Sequence, residues 1–333
     1  MQISMKSPCK TCRAYAQRDF FQNNSACGRL IDASIEDPLP EFHDGLPGFY
    51  EILASAEEET ASWGEIVAGY SRASETYDDY WLTVASGPID DLMRRLHVPS
   101  GATAIDCGCG TGYTTAKLAR RVGSSGRVIG IDLTEAMVER ARQRFAFAKL
   151  NGTEFRIGNV LEELDKMDAA SIDAATTTWL IGYVSCEEIF PLLARVIKPG
   201  GEIGFVAHLD RSPEVPFQVF EELVRENPDV MTKAVRMKFP NTDDDVRMAL
   251  NQSGFEPRYL HSGTFTVVCR DGRGVLDHVM KSGAGSTFYH AIRPSARQRL
   301  IDEFVRRIEA HCGTSNGIPI LHRYAVGTAI KTN

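Results

Sequence analysis

The stretch Ala104-Ile105-Asp106-Cys107-Gly108-Cys109-Gly110-Thr111-Gly112-Tyr113 decides the fold. A short apolar run ends at Asp106, glycines follow at alternate positions, and a helix is expected to begin near Thr111. Glycine lets the chain turn sharply and lets a ligand approach where a Cβ would collide. Donors at the start of the following helix then face that ligand. Asp132 closes the next apolar run, 20 residues after Gly112, where a carboxylate can accept both hydroxyls of a ribose. A dinucleotide site spaces its glycines Gly-x-Gly-x-x-Gly and seats a pyrophosphate on the helix end. Here the spacing is Gly-x-Gly-x-Gly, and Asp106 precedes it. A carboxylate in that place repels a pyrophosphate but holds an ammonium group. The loop therefore points to a nucleoside that carries an amino acid.

Outward from this loop, short apolar runs alternate with amphipathic segments, the pattern of a parallel sheet with crossover helices. Strands are expected at Thr103–Asp106, Arg127–Ile131, Glu154–Ile157, Ile172–Thr177 and Glu202–Ala207. Thr134 is the expected cap of a helix that buries Met137, Ala141, Phe145 and Ala148. A second helix should run from about Glu187 to Ile197 and stop at Lys198-Pro199-Gly200-Gly201. Beyond Ala207 the rhythm breaks twice, at 213–240 and at 270–316. A helical stretch at Phe217–Arg225 lies in the first break. The second holds a helix capped by Ser295, with Leu300, Ile301, Phe304, Val305 and Ile308 as its buried stripe. A strand near Pro257–His261 lies between the breaks, and Ile318–Ile330 reads as the last strand. Residues 1–48 read as an irregular N-terminal arm and 49–100 as an aromatic-rich helical cap. The main domain then spans 101–333, with the two breaks as cap insertions.

The chain has 333 residues, with 37 Lys+Arg against 44 Asp+Glu, a net charge of −7. That acidity disfavours a protein that coats nucleic acid through clustered cations, and Arg140, Arg142 and Arg144 read as a solvated helix face. No run approaches the roughly 20 apolar residues needed to span a bilayer, and the first twenty positions lack an apolar signal core. Eight cysteines scattered through a long chain read as free thiols. Cys9-Lys10-Thr11-Cys12 has metal-ligand spacing, with Cys27 and His43 available, yet no second pair completes it. The expectation is a cytoplasmic protein without a metal, without nucleic-acid or membrane partners, and with a homodimer left open.

With these stretches in view, residues 70–330 resemble a class I S-adenosylmethionine-dependent methyltransferase. The likeness rests on Asp106-Cys-Gly108-Cys-Gly110-Thr-Gly112, on Gly130-Ile131-Asp132-Leu133-Thr134-Glu135-Ala136-Met137, and on Arg195-Val-Ile-Lys-Pro-Gly-Gly201. It implies an α/β fold: a Rossmann-like seven-stranded sheet, last strand antiparallel, with helices on both faces and a helical cap from the N-terminal region and the insertions. It implies S-adenosylmethionine as cofactor and S-adenosylhomocysteine as product. Asp106, Gly108, Gly110 and Gly112 would surround the methionine moiety, and Asp132 would hold the ribose. Leu133 and Met137 would flank the adenine, Asn159 and Val160 would reach its amino group, and Thr178 and Trp179 would line the sulfonium end. Tyr80, in the stripe Tyr77, Tyr80 and Trp81, is the lid candidate, where ring faces attract a sulfonium; helical core packing explains the same stripe.

The acceptor side is written less clearly. His208 follows the fifth strand at the edge where open α/β sheets bind ligands and is the candidate general base; a structural histidine fits the same position. Tyr183 and His290 are further catalytic candidates. The segment Thr176-Thr-Thr-Trp179-Leu-Ile-Gly-Tyr183 lacks the Asn/Asp-Pro-Pro-aromatic element of enzymes that methylate nucleic-acid amino groups. A small organic acceptor under a cap is expected, similar to the trans-aconitate and quinone-pathway enzymes. RNA or protein methylation, and cofactor binding without catalysis, are the rivals; a dehydrogenase conflicts with the glycine spacing. Arsenic methylation needs a cysteine constellation, and only Cys186 and Cys269 fall near expected pocket edges.

Overall fold

A computed structural model describes residues 63–332 apart from 234, 236 and 313–315. The expected arm at 1–48, residues 49–62 of the expected cap, and Cys9, Cys12, Cys27 and His43 lie outside the described residues. Helix α1 (Trp63–Ala73), a π-helical turn (Asp78–Leu82) and α2 (Thr83–Arg95) lead into β1 (Thr103–Cys107), α3 (Tyr113–Val122) and β2 (Arg127–Asp132). Then come α4 (Glu135–Ala148), β3 (Thr153–Ile157), α5 (Val160–Asp165), β4 (Ile172–Thr178), α6 (Cys186–Val196) and β5 (Ile197–His208). The chain continues through α7 (Glu214–Glu226), α8 (Asp243–Gln252), β6 (Phe255–Cys269), α9 (Gly272–Lys281), α10 (Ala284–Ala291), α11 (Pro294–Cys312) and β7 (Ile318–Lys331).

The strands form one seven-stranded sheet in the order β3-β2-β1-β4-β5-β7-β6. β1 to β5 are parallel, and β7 runs antiparallel to both β5 and β6. The order reverses between β1 and β4, which opens a crevice at the carboxyl ends of those strands. Central strands are covered on both faces, so β4 reads as a continuous buried run, Ala174, Ala175, Thr176 and Thr177. β7 alternates buried and exposed over its first half, then becomes buried throughout from Ala325 to Ala329, where β5 flanks it. Close helix contact is bought with glycine: a Cβ on Gly204 of β5 would stand 2.8 Å from Leu92 of α2. No described helix is long and apolar enough to cross a membrane.

The differences from the sequence reading have local causes. β5 starts at Ile197, because the Lys198-Pro199-Gly200-Gly201 turn ends α6 yet keeps the chain beside β4, with a slip in register between Ile172 and Ala174. β6 runs to Cys269, well past His261, since β7 pairs with it along its whole length despite the polar stretch His261 to Thr264. Ser295 is not a cap: α11 begins at Pro294, whose fixed φ suits a first helical position. Thr134 makes no side-chain cap either. Its N–H instead donates to Asp132 Oδ1 at 2.9 Å. Segment 213–240 supplies α7, and 270–316 supplies α9, α10 and α11. α1 packs on α10, and α9 packs on the π-helical turn, α10 and α11.

Candidate active site

The glycine loop is held by the chain itself. Gly108, Gly110 and Gly112 have φ of +71°, +51° and +82°, values that side-chain-bearing residues adopt only at a cost. Gly108 N–H and Cys109 N–H both donate to the Ile131 carbonyl at 2.9 Å. Gly110 N–H donates to Asp132 Oδ2 at 2.8 Å, and Gly112 N–H to the Cys109 carbonyl at 2.8 Å. The N–H groups of Gly108, Cys109, Gly110 and Gly112 are therefore already engaged. Asp132 anchors the loop while standing half-buried in the crevice, its pKa raised by desolvation against the pull of the two N–H donors.

A crevice that opens to solvent lies at this loop. Gly108, Gly110, Asp132, Leu133, Met137, Asn159, Val160, Thr178, Trp179 and Tyr183 of the sequence reading all line it, joined by Tyr70 and Tyr77. Asn159 also caps α5, its Oδ1 accepting from Leu161 N–H at 3.0 Å, which fixes its amide at the crevice rim.

Three expected cofactor contacts stand elsewhere. Asp106 is fully buried and lines neither this crevice nor the cavity behind it. Thr115 and Thr176 hydroxyls donate to its two oxygens at 2.6 and 2.7 Å, and burial raises its pKa to about 6. It braces β1 from below the loop rather than presenting an oxygen to a ligand. Gly112 also lies outside: a Cβ there would be 2.9 Å from that of Ala141, so this glycine lets the start of α3 pack on α4. Tyr80 faces α9, where its hydroxyl accepts from Lys281 at 3.1 Å. A π-helical turn holds more residues per turn than an α-helix, so the stripe expected at 3.6 spacing is rotated. Tyr77 lines the crevice instead, and Asp78 pins the turn to the loop through Thr111 Oγ1 at 2.6 Å and through Arg144.

A second, narrower cavity lies behind the crevice, and Tyr70, Tyr77, Trp179 and Tyr183 belong to the walls of both. The Tyr70 and Tyr183 hydroxyls are 2.7 Å apart. Trp179, 7% exposed, has φ of +62°; such strain in a non-glycine residue collects at functional sites. Its ring lies 4.7 Å from His208 and 5.3 Å from Trp81, and its Nε1–H has no partner among the described residues. His208, His278 and His322 complete the inner wall. Burial lowers the pKa of His208 and His278 to about 4 and pushes that of His322 well below its ordinary value, with neighbouring imidazoles further opposing a charge on His208 and His322. All three are neutral at pH 7, and no Asp, Glu, Lys or Arg among the described residues lines the cavity.

His208 thus stands where the sequence put it, while His278 and His322 were not foreseen, and neither α9 nor β7 carries a local signal for them. His290 does not reach either cavity: it sits at the end of α10, where Arg72 and Arg297 add to desolvation in lowering its pKa. Cys107, Cys109, Cys186 and Cys269 are buried free thiols, and none of them lines the crevice or the cavity. Beyond the cavity, Pro213, Phe217, Val279 and Phe288 are shared with a third, almost wholly apolar chamber between α7, α9, α10 and α11.

Residues 99–254 match the family model described as a methyltransferase domain. Among curated proteins, the chain is 29% identical over 157 residues to an arsenite methyltransferase of Halobacterium salinarum, covering 47% of this chain and 38% of that protein. It is 34% identical over 116 residues to a demethylmenaquinone methyltransferase of Oceanobacillus iheyensis, covering 34% of this chain and 47% of that one. The chain thus spans less than half the length of these relatives. A solved structure of a putative methyltransferase from Bacillus halodurans superposes with a TM-score of 0.49 at 17% identity, covering 74% of this chain and 99% of that one.

Proposed function

We propose, from a chain whose residues 99–254 match a methyltransferase-domain family model, that it transfers a methyl group from S-adenosylmethionine to a small, uncharged organic acceptor. The crevice receives the cofactor and the inner cavity the acceptor. The observation that carries this reading is the wall common to both spaces, Tyr70, Tyr77, Trp179 and Tyr183. A donor on one side and an acceptor on the other then meet across aromatic faces, which suit a sulfonium cation.

The fit to the cofactor rests on residues in hand. Asp132 has lone pairs left for ribose hydroxyls after accepting from Gly110 and Thr134. Leu133, Met137 and Val160 offer apolar faces to an adenine. The cofactor supplies a methyl group already activated on sulfur, so the chain's task is to align the partners and exclude water. Trp179 and Tyr183 form the gate at which that alignment is set. Helices α1, α7, α9 and α10 act as the cap that closes the acceptor space.

The neutral, aromatic lining disfavours a phosphate-bearing acceptor and with it nucleic acid, which would need cations. The chamber behind Phe217 and Phe288 gives room for an apolar part of the acceptor. Arsenite, the substrate named for one relative, lacks support here because the described cysteines line neither space and burial raises the Cys186 and Cys269 thiols to about 12. Incubation of the protein with methyl-labelled S-adenosylmethionine and fractionated metabolites, followed by mass identification of the labelled product, tests the assignment. A labelled uncharged organic product supports it; label found only in RNA or protein contradicts it.

Gly110→Ala offers a further check. Its Cβ would meet no heavy atom within 4 Å, so the new methyl projects into open crevice space at a backbone cost of about 1–2 kcal/mol. S-adenosylhomocysteine affinity by calorimetry is expected to fall about tenfold or more, with the protein still folded in a paired thermal melt. Retained affinity would mean that the ligand does not approach this turn.

A further inference from the structure

His278 and His322 meet through their Nε2 atoms at 3.0 Å, and neutral imidazoles can do so only if one of the two carries its proton there. The Tyr80 carbonyl, in the π-helical turn, is near enough to favour a proton on the His278 ring, and the tautomer that suits it carries that proton on Nδ1 and leaves Nε2 as an acceptor. His322 must therefore donate from Nε2, so its Nδ1 bears a free lone pair. That atom is buried and has no partner among the described residues, a costly condition that a bound hydrogen-bond donor would relieve. His322 is 2% exposed, and Phe265 stacks on its ring at 4.8 Å and 6°, which fixes its plane. His208, by contrast, is tied by Ser212 Oγ at 3.2 Å and by the Arg323 backbone. The same cavity wall holds the unpartnered Trp179 Nε1–H.

We propose that His322 Nδ1 takes the proton of the acceptor, with His278 as its positioning residue, and that the acceptor presents a hydroxyl group, phenolic or enolic. This deepens the methyl-transfer reading and rests on it. A hydroxyl has a proton to give to His322 Nδ1 and lone pairs left to accept a hydrogen bond from the cavity wall; a carboxylate or a thioether has no proton to give. As the acceptor oxygen forms its bond to the methyl carbon, the carbon–sulfur bond breaks and its electron pair stays on sulfur. The hydroxyl proton passes to Nδ1. The positive charge leaves the sulfonium as it appears on the imidazole, so the number of buried charges does not change, and a base that burial keeps neutral can serve. His278 Nε2 accepts the Nε2–H of the imidazolium throughout.

Long-range proton–nitrogen NMR of the full chain, with and without S-adenosylhomocysteine, reads the tautomers directly, with His208→Gln and His278→Gln variants for assignment. The expected result is an unprotonated His322 Nδ1, a protonated His322 Nε2 and a protonated His278 Nδ1. A protonated His322 Nδ1 would overturn the proposal. In the second arm, 4-fluorophenol is expected to shift the His322 Nδ1 resonance and to bind about tenfold tighter than 4-fluoroanisole, the worth of one hydrogen bond. Equal affinities, or no shift, would overturn it. Because the tautomer readout needs no cofactor, failure of S-adenosylhomocysteine to bind would sink the methyl-transfer reading separately.

Discussion

Replacing Asp132 with alanine is expected to weaken S-adenosylhomocysteine binding at least about a hundredfold while the protein stays folded. Hydrogen bonds to a charged acceptor contribute about 1.5–3 kcal/mol each, and a ribose offers two hydroxyls to this carboxylate. Every 1.4 kcal/mol is about tenfold in affinity, so two such bonds account for the loss. The substitution also removes the acceptor of Gly110 N–H at 2.8 Å and of Thr134 N–H at 2.9 Å, which slackens the turn that the cofactor must contact. Asp132→Asn keeps one oxygen and should lose less. Calorimetric titration of the three proteins checks the order, and unchanged affinity in the alanine variant would contradict the ribose assignment.

The second large effect is on stability and its pH dependence. Burial raises Asp106 from 3.8 to about 6, although the Thr115 and Thr176 hydroxyls pull it down. The folded chain therefore holds a proton there that the unfolded chain releases. The stabilisation from that proton is fully present below about pH 4 and is lost as pH rises through about 6. About two units correspond to about 3 kcal/mol. Asp106→Asn cannot ionise, so its stability relative to the unsubstituted protein should improve by about 3 kcal/mol between pH 4 and pH 7.5 in urea melts. A constant difference would show that Asp106 is not desolvated in this way. The variant should keep its cofactor affinity, because both oxygens face threonines.

The parts of the site that could be read in the sequence are those carried by short contiguous patterns. The glycine turn, Asp132 and the Leu133–Met137 pair follow from one strand-turn-helix unit repeated along the sheet. Asn159, Val160, Thr178 and Trp179 follow from their places at strand ends. Where the reading failed, a local departure from regular geometry is responsible. The π-helical turn at Asp78–Leu82 rotates Tyr80 away and brings Tyr77 to the crevice. Tight packing of α3 on α4 gives Gly112 a structural task. Paired threonines beside Asp106 turn an apparent ligand into a brace, and nothing in the linear pattern pairs Thr115 with Thr176. His278 and His322 stand 44 positions apart, and only the packing of α9 against β7 makes them partners. Long antiparallel pairing likewise carried β6 beyond the point where its polar stretch suggested an end.

Parallel calorimetric titrations of the full chain with S-adenosylhomocysteine and with NAD⁺ test the assignment of the crevice most directly. Saturable one-site binding of the first and no heat from the second are predicted, since the Gly108, Cys109 and Gly110 amides of the loop already donate to Ile131 and Asp132. Binding of the dinucleotide with indifference to S-adenosylhomocysteine would contradict the account.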